Sequence, residues 1–170
     1  MRMRLLLAGF LITTTSFITL PVAAEEAIST PAAQSAIMEK FAGTWKAEGT
    51  SFGLPSKSTM IWFKDLADKF YRVKYQIDMD REGKTVTFRG HGYYTHGSKE
   101  GFWADTGGDL HPMVTSYSDN RLSTIWGKTG GKQGRSNYTL QSDGSIEVVD
   151  WILQENGWRE FNRTQFQRAE

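Results

Sequence analysis

The stretch KFYRVKYQIDM, residues 69–79, decides the fold class, because an apolar residue falls on every second position. The positions that share one face of an extended strand are Tyr71, Val73, Tyr75, Ile77 and Met79. Most of the other face is polar. This alternation predicts a β-strand with one face packed on a core and the other in solvent.

The same pattern continues along the chain. From Gly43 onward, short aromatic and β-branched runs alternate with turn clusters at intervals of about ten residues. The predicted strands are 44–50, 58–64, 69–79, 84–95, 101–105, 113–117, 121–128, 135–141, 145–154 and 157–168. We therefore expect an all-β protein, an antiparallel up-and-down barrel of about ten strands, since closure removes exposed strand edges.

The N-terminal region has the features of an export signal. Arg2 and Arg4 precede an apolar run over residues 5–20, and Val22-Ala23-Ala24 supplies small residues for cleavage. We predict a signal peptide over residues 1–24 and a periplasmic or secreted protein. An uncleaved membrane anchor is the alternative. Cleavage would leave no transmembrane segment.

Between this signal and the barrel, residues 25–34 are small and polar, which favours a flexible leader. Residues 32–42 have helical character and predict a short helix that ends before Gly43. The barrel domain is then expected over residues 35–170.

The composition excludes several classes of protein. The 170 residues include no Cys, which removes disulfide scaffolds, thiol nucleophiles and Cys-containing zinc sites. The net charge of +1 gives no basic field for nucleic acid, so no nucleic-acid partner is expected. The length fits one domain.

Two motifs carry a family resemblance. FAGTWKAEG, residues 41–49, resembles the G-x-W opening of lipocalin-like (calycin) barrels, and FRGHGYY (88–94) followed by GFWAD (101–105) resembles bacterial lipocalin-like domains of unknown function. The resemblance implies that Gly43 lets a short helix turn into the first strand and that Trp45 plugs one barrel end. It also implies that Arg163 or Arg168 lies across the indole, and we take Gly43, Trp45 and Arg163 as structural residues.

Haem-binding barrels of the nitrobindin kind share the G-x-W opening and use a histidine in a C-terminal strand as the iron ligand. The three histidines of this chain are His91, His96 and His111. None lies in a C-terminal strand, so the departure from that pattern predicts no haem, and no other cofactor is expected.

Aromatic residues are the strongest indication of function, since six Trp in a small barrel must plug, line or rim it. The predicted ligand-binding residues are Tyr71, Tyr75, Phe88, Tyr94, Trp103 and Trp126. Gly90 and Gly92 are expected to leave space beside these rings. Asp150, Asn162 and Thr164 fall on inward positions and favour a cavity with some hydrogen-bonding groups.

The best candidates for acid/base or metal chemistry are His91, His96, Asp105, Asp109 and His111, which could converge at one rim. The chain has no G-x-S-x-G elbow, and each histidine also has an ordinary surface or turn position, so we assign no catalytic residue and no metal ligand. We expect a non-enzymatic binding protein for a small apolar or amphipathic ligand. An enzyme acting within the barrel and an envelope interaction protein with a filled barrel are the alternatives.

Overall fold

The protein is a closed antiparallel barrel of ten strands with one helix across an end. The computed structural model describes residues 30–169, so the predicted signal peptide and the start of the leader lie outside the described residues. Neighbouring strands follow chain order, and the first strand closes the ring against the tenth. The predicted all-β barrel with a short N-terminal helix is confirmed.

Nine hairpins connect strands β1 to β10 within the described chain. Their bounds are Gly43–Ser51 (β1), Leu54–Asp65 (β2), Phe70–Arg81 (β3), Lys84–Thr95 (β4), Glu100–Asp105 (β5), Leu110–Tyr117 (β6), Arg121–Gly127 (β7), Gln133–Leu140 (β8), Ile146–Gln154 (β9) and Gly157–Arg168 (β10). The strands β4 and β10 have the predicted bounds. The strands β2 and β6 start earlier than predicted, because Pro55 and Pro112 lie within them near a barrel rim, where the missing N–H is tolerated.

Helix α1 spans Pro31–Phe41 and covers one end of the barrel. Thr30 caps its N-terminus, and its hydroxyl accepts a hydrogen bond from the Ala33 amide at 3.1 Å. Pro31 occupies the first turn, where its missing N–H costs nothing. The prediction of a flexible leader through Gln34 is therefore wrong for residues 31–34, which form the start of the helix.

The helix turns into β1 at Gly43, whose φ of +118° favours glycine. A Cβ there would lie 2.8 Å from Nη1 of Arg168, so the guanidinium also needs the glycine. The Arg168 guanidinium lies 4.2 Å from the ring centre of Trp45. It donates hydrogen bonds to the carbonyls of Ala42 and Lys40 at 2.7 and 2.8 Å.

Trp45 is fully buried, and its indole N–H donates to the Phe41 carbonyl at 2.7 Å. The structure thus gives Gly43 and Trp45 the expected structural positions. The choice of Arg163 was wrong. Its guanidinium points outward and pairs with Glu147 and Glu160, because position 163 falls on the solvent face of β10.

The barrel interior is formed by alternate residues of every strand, as in the burial pattern of β3. A bulge between Glu160 and Asn162 shifts the register of β10 against β9. The strands β1 and β10 pair only through Trp45 with Arg168 and Lys46 with Gln167. They separate toward the end of the barrel opposite the helix, which we call the open end.

Of the helices in residues 30–169, none combines the length and the apolar character that crossing a bilayer requires.

Candidate ligand cavity

A cavity of about 570 Å³ occupies the barrel toward its open end. Its walls come from β3 to β10 and from the hairpin tip at Phe52. Residues that line it and carry the argument below are Tyr75, Phe88, Tyr94, Trp103, Trp126 and Asp150. The barrel is therefore not filled by its own side chains.

Five of the six residues predicted to bind ligand line this cavity: Tyr75, Phe88, Tyr94, Trp103 and Trp126. Tyr71 does not. It lies on the same inner face of β3 as Tyr75 but nearer the end of the barrel that helix α1 covers. There its ring centre lies 5.4 Å from that of His96. Alternation predicted the correct face for Tyr71, but it could not predict its depth along the barrel axis.

Two tryptophans of the wall lie flat over glycines of the neighbouring strand. A Cβ on Gly90 would come within 1.9 Å of the Trp103 ring, and one on Gly134 within 2.0 Å of the Trp126 ring. The expectation that Gly90 and Gly92 leave empty space is therefore wrong. Trp103 carbon fills the space beside Gly90, and side-chain carbons of Val73 and Tyr94 lie nearest to Gly92. Gly90 lets Trp103 lie close to the wall, which leaves room in the centre.

A polar centre lies on the cavity wall formed by β8 to β10. Oδ1 of Asp150 accepts a hydrogen bond from the Ser136 hydroxyl at 2.5 Å, and Oδ2 accepts one from the Asn162 amide at 2.8 Å. The Trp126 indole N–H donates to Ser136 Oγ at 3.2 Å. Asn162 in turn accepts from the Thr164 hydroxyl at 3.2 Å. The predicted inward positions of Asp150, Asn162 and Thr164 are confirmed by this network.

Asp150 retains some exposed surface because it borders the cavity, yet protein surrounds it on the other sides. Burial raises the pKa of its carboxyl, and the hydrogen bonds from Ser136 and Asn162 oppose that rise. Burial first, and then the Asp150 charge, raise the pKa of the Tyr75 phenol. The same charge adds to the effect of burial on Tyr94 and Tyr138. Three neutral phenols thus lie within electrostatic reach of one carboxyl.

Two hydroxyls that line the cavity form no hydrogen bond of ordinary geometry within the described chain, although other polar side chains lie near them. These are the phenol of Tyr75 and the hydroxyl of Thr124, both more than nine-tenths buried. A buried polar group without a partner costs about 1–3 kcal/mol. A ligand or a water molecule in the cavity can supply the missing hydrogen bond.

The mouth of the cavity carries charged groups of both signs. Asp109 accepts from Lys132 at 2.5 Å, and His111 Nε2 lies 3.5 Å from the same carboxylate oxygen. The hydrogen bond and charge of Lys132 lower the pKa of Asp109. Asp105 accepts from the Trp103 indole at 2.9 Å and so fixes the ring that covers Gly90.

Aromatic side chains occupy the side of the mouth where β1 and β10 separate. The Phe52 ring stacks on Phe161 at 6.1 Å and lies edge-on to Phe88 at the same distance. A second cavity of about 590 Å³ lies in the gap between these strands, bordered by Thr50 and Arg163 among others. Phe52 and Phe161 line both cavities.

The five residues considered for acid/base or metal chemistry do not converge. His91 faces outward and contacts Arg72 at 2.9 Å, and its burial and nearby Arg72 and Lys74 lower its pKa. His96 lies at the helix-covered end, 3.3 Å from the Ser35 hydroxyl. Only Asp105, Asp109 and His111 share the mouth. In residues 30–169 no group of three or more His, Asp or Glu residues could hold a metal ion.

Several cavity residues were not predicted from the sequence. Ser136 and Tyr138 alternate with polar neighbours in β8, so the period of two could have identified them. Phe161 had no such signal, because the β10 bulge changes the face on which it lies. Phe52 belongs to a turn with φ of +52°, where strand periodicity does not apply.

No family model matches the chain, and no curated protein matches it.

Proposed function

We propose that this protein binds a small amphipathic molecule inside its barrel and performs no chemistry on it. The observation that carries the proposal is the cavity of about 570 Å³ with a polar centre on an otherwise largely aromatic and aliphatic wall. Sites for small molecules typically measure about 300–1,000 Å³ and combine an apolar lining with a few placed polar groups.

The polar groups support a specific position for such a ligand. Asp150 is held by Ser136 and Asn162, while the hydroxyls of Tyr75 and Thr124 lack partners in the described chain. A ligand with one polar group can satisfy one or more of these atoms, and its apolar part can contact the rings nearer the mouth. The burial of both parts favours binding.

One contact supports the alternative that the protein is an enzyme, namely that between His111 and Asp109 at the mouth of the cavity. Within the described chain, His111 has no hydrogen bond to a Ser or Thr hydroxyl, and the Asp109 oxygen that faces it is shared with Lys132. An activated nucleophile needs a base within hydrogen-bond reach. These contacts favour an ion-pair network that shapes the mouth.

We further propose that the barrel is lipocalin-like. The features that support this relation are the Gly43-x-Trp45 opening after a short helix, the buried indole and the arginine of the last strand that lies across it. The closed antiparallel barrel agrees with such a relation.

We also propose that the protein is exported to the periplasm or the medium. It rests on Arg2, Arg4, the apolar run and Val22-Ala23-Ala24, all of which lie outside the described residues. N-terminal sequencing of protein from an expressing bacterium tests it. A chain that begins at Glu25 supports export, whereas a membrane-bound chain that begins at Met1 contradicts it.

Titration with Nile red, a neutral apolar dye, tests the binding function. The wild type should show saturable fluorescence enhancement. Ile152→Trp should weaken binding at least tenfold, because Ile152 lines the cavity, whereas Leu153→Trp is the matched control, since Leu153 is 42% exposed on the outer face of the same strand. Unsaturable binding, or an equal effect of the two variants, would overturn the proposal.

A further inference from the structure

The polar centre of the cavity contains one acidic group and no basic one. The cationic side chains that line the cavity in residues 30–169 are Lys132 and Arg159, and both belong to the mouth. Lys132 is engaged by Asp109. Arg159 pairs with Ile152 in the β9–β10 ladder, one inward position nearer the rim than Asp150. Asp150 therefore has neutral protein neighbours.

In both side-chain hydrogen bonds of Asp150, the carboxyl group is the acceptor. Ser136 Oγ receives the Trp126 N–H, which leaves the hydroxyl proton for Asp150. Asn162 receives the Thr164 proton on its oxygen, which leaves its NH₂ group for Asp150. A carboxylate has about four acceptor positions, so two donors leave it able to accept further N–H bonds.

Aromatic rings form much of the wall around this acceptor. Tyr75, Tyr94 and Tyr138 lie close enough for the Asp150 charge to raise their pKa values, and Trp126 connects to it through Ser136. The face of an aromatic ring attracts a cation by about 0.5–2 kcal/mol, more when water is excluded. A carboxylate and several rings in one enclosed site therefore both favour a positive charge.

We propose that the ligand is a protonated amine on an apolar body, with its ammonium group bound to Asp150. The inference rests on the proposed binding function. The ammonium supplies the opposite charge that the protein does not place beside Asp150, and its additional N–H groups can donate to unpartnered hydroxyl oxygens such as that of Tyr75. The apolar body contacts Phe88, Trp103 and Trp126 on the way to the mouth.

The other ligand classes fit less well. An anionic head group would face repulsion from Asp150 and would have to stay at the mouth, near Arg159. A neutral alcohol or carbonyl compound can form hydrogen bonds but leaves the buried carboxyl without an opposite charge. Burial raises the pKa of the Asp150 carboxyl, which agrees with a group that has no positively charged side chain beside it.

The test compares three competitors that share a naphthalene body. 2-(1-Naphthyl)ethylamine, 2-(1-naphthyl)ethanol and 1-naphthylacetate are each titrated against the full chain with Nile red bound at pH 7. The amine should displace the dye at a concentration at least tenfold lower than the alcohol, and the acetate should be the weakest. This ranking on the wild type does not depend on any variant.

Two variants then test whether Asp150 supplies the negative charge that binds the amine. In Asp150→Asn the advantage of the amine over the alcohol should disappear. Asp143→Asn is the matched control, because Asp143 lies outside the cavity, at the end covered by helix α1, where the Ser145 hydroxyl and amide donate to it. It should leave the preference for the amine intact.

The outcomes separate this inference from the binding function. Saturable Nile red binding with an alcohol or acetate as strong as the amine, or with no competition by any of the three, overturns the amine assignment and leaves the binding function standing. Retention of the amine preference in Asp150→Asn overturns it as well. Absence of saturable dye binding in the wild type overturns the binding function itself.

Discussion

The two ends of the barrel differ in how their buried polar groups form hydrogen bonds. At the end covered by helix α1, the Gln34 side chain is 1% exposed and donates to the Thr95 carbonyl and the Tyr117 hydroxyl, both at 2.9 Å. Its oxygen accepts from the Gly97 amide. At the open end, the Tyr75 and Thr124 hydroxyls have no partner in the described chain. At the closed end the protein itself satisfies Gln34, and the Trp62 indole N–H is a group there that lacks a partner in the described chain. The unpartnered hydroxyls of the open end, in contrast, face a cavity from which a ligand can reach them.

The packing shows the same contrast. At the closed end, the Arg168 guanidinium covers one face of the Trp45 ring, and the indole N–H donates a hydrogen bond to the Phe41 carbonyl. Trp103 and Trp126 at the open end lie against glycines and border empty space. We therefore expect the closed end to determine stability and the open end to determine ligand affinity.

The largest test of this division is Trp45→Ala. Truncation of a fully buried tryptophan costs about 3–5 kcal/mol, which is a large fraction of the total of about 5–15 kcal/mol for a domain. The urea midpoint should fall accordingly. Trp158→Ala is the control, since Trp158 is 38% exposed and should lose less than about 1 kcal/mol. Equal losses would contradict a plug role for Trp45.

Gln34→Ala should have the next largest effect. It removes the hydrogen bonds that a buried side chain makes to the Thr95 carbonyl, the Gly97 amide and the Tyr117 hydroxyl, at a cost of about 1–3 kcal/mol, although Tyr117 keeps Thr115 as a partner. Thermal unfolding measures the loss, and Nile red affinity of the remaining folded protein should be unchanged. Ser35→Ala removes only an exposed contact to His96 and should be close to neutral. A loss of dye affinity in Gln34→Ala would show that the two ends are coupled.

Gly90→Ala affects the open end and should change stability and affinity together. The new Cβ would meet the Trp103 ring, which must swing into the cavity, at about 1–2 kcal/mol. Nile red affinity should fall at least fivefold. Gly49→Ala is the control, because a Cβ there has open space around it. Unchanged dye binding in Gly90→Ala would contradict the role of Trp103 as part of the cavity wall.

The closed end also shows what the sequence could predict. Alternation in β3 and turn clusters between strands predicted ten strands and their inner faces, and the G-x-W pattern placed Gly43 and Trp45. Gln34 was missed because a polar residue in a small, polar segment has no periodicity, and its role depends on carbonyls of a hairpin about 60 residues later.

The open end was predicted less completely. The inward position of Asp150 followed from alternation in β9, but its partner Ser136 belongs to another strand, and only the register of β8 against β9 brings the two together. Gly90 and Gly92 of β4 were expected to leave space beside the aromatic rings. Their purpose was missed, since a sequence does not show that a tryptophan from β5 lies over them.

The smallest expected effect is a difference in how stability depends on pH between two carboxyl groups, one at each end of the barrel. Asp143 at the closed end accepts from the Ser145 hydroxyl and amide, which lower its pKa. Asp150 at the open end has its pKa raised by burial. An unfolded Asp titrates at about 3.9, so the two groups lie on opposite sides of that value.

The sign of the pH dependence follows for each. The Asp143 contribution is present above the unfolded pKa and is lost as the pH falls through the lower folded value, so Asp143→Asn should lose stability relative to the wild type as the pH rises toward about 4. Asp150 loses its proton at a lower pH in the unfolded chain than in the folded protein. The stability of the wild type therefore declines as the pH rises from about 4 through the raised pKa of the folded state. Asp150→Asn should therefore gain stability relative to the wild type over that range. Urea midpoints of the three proteins between pH 3 and 8 measure both differences, and slopes of the same sign would contradict the contrast between the ends.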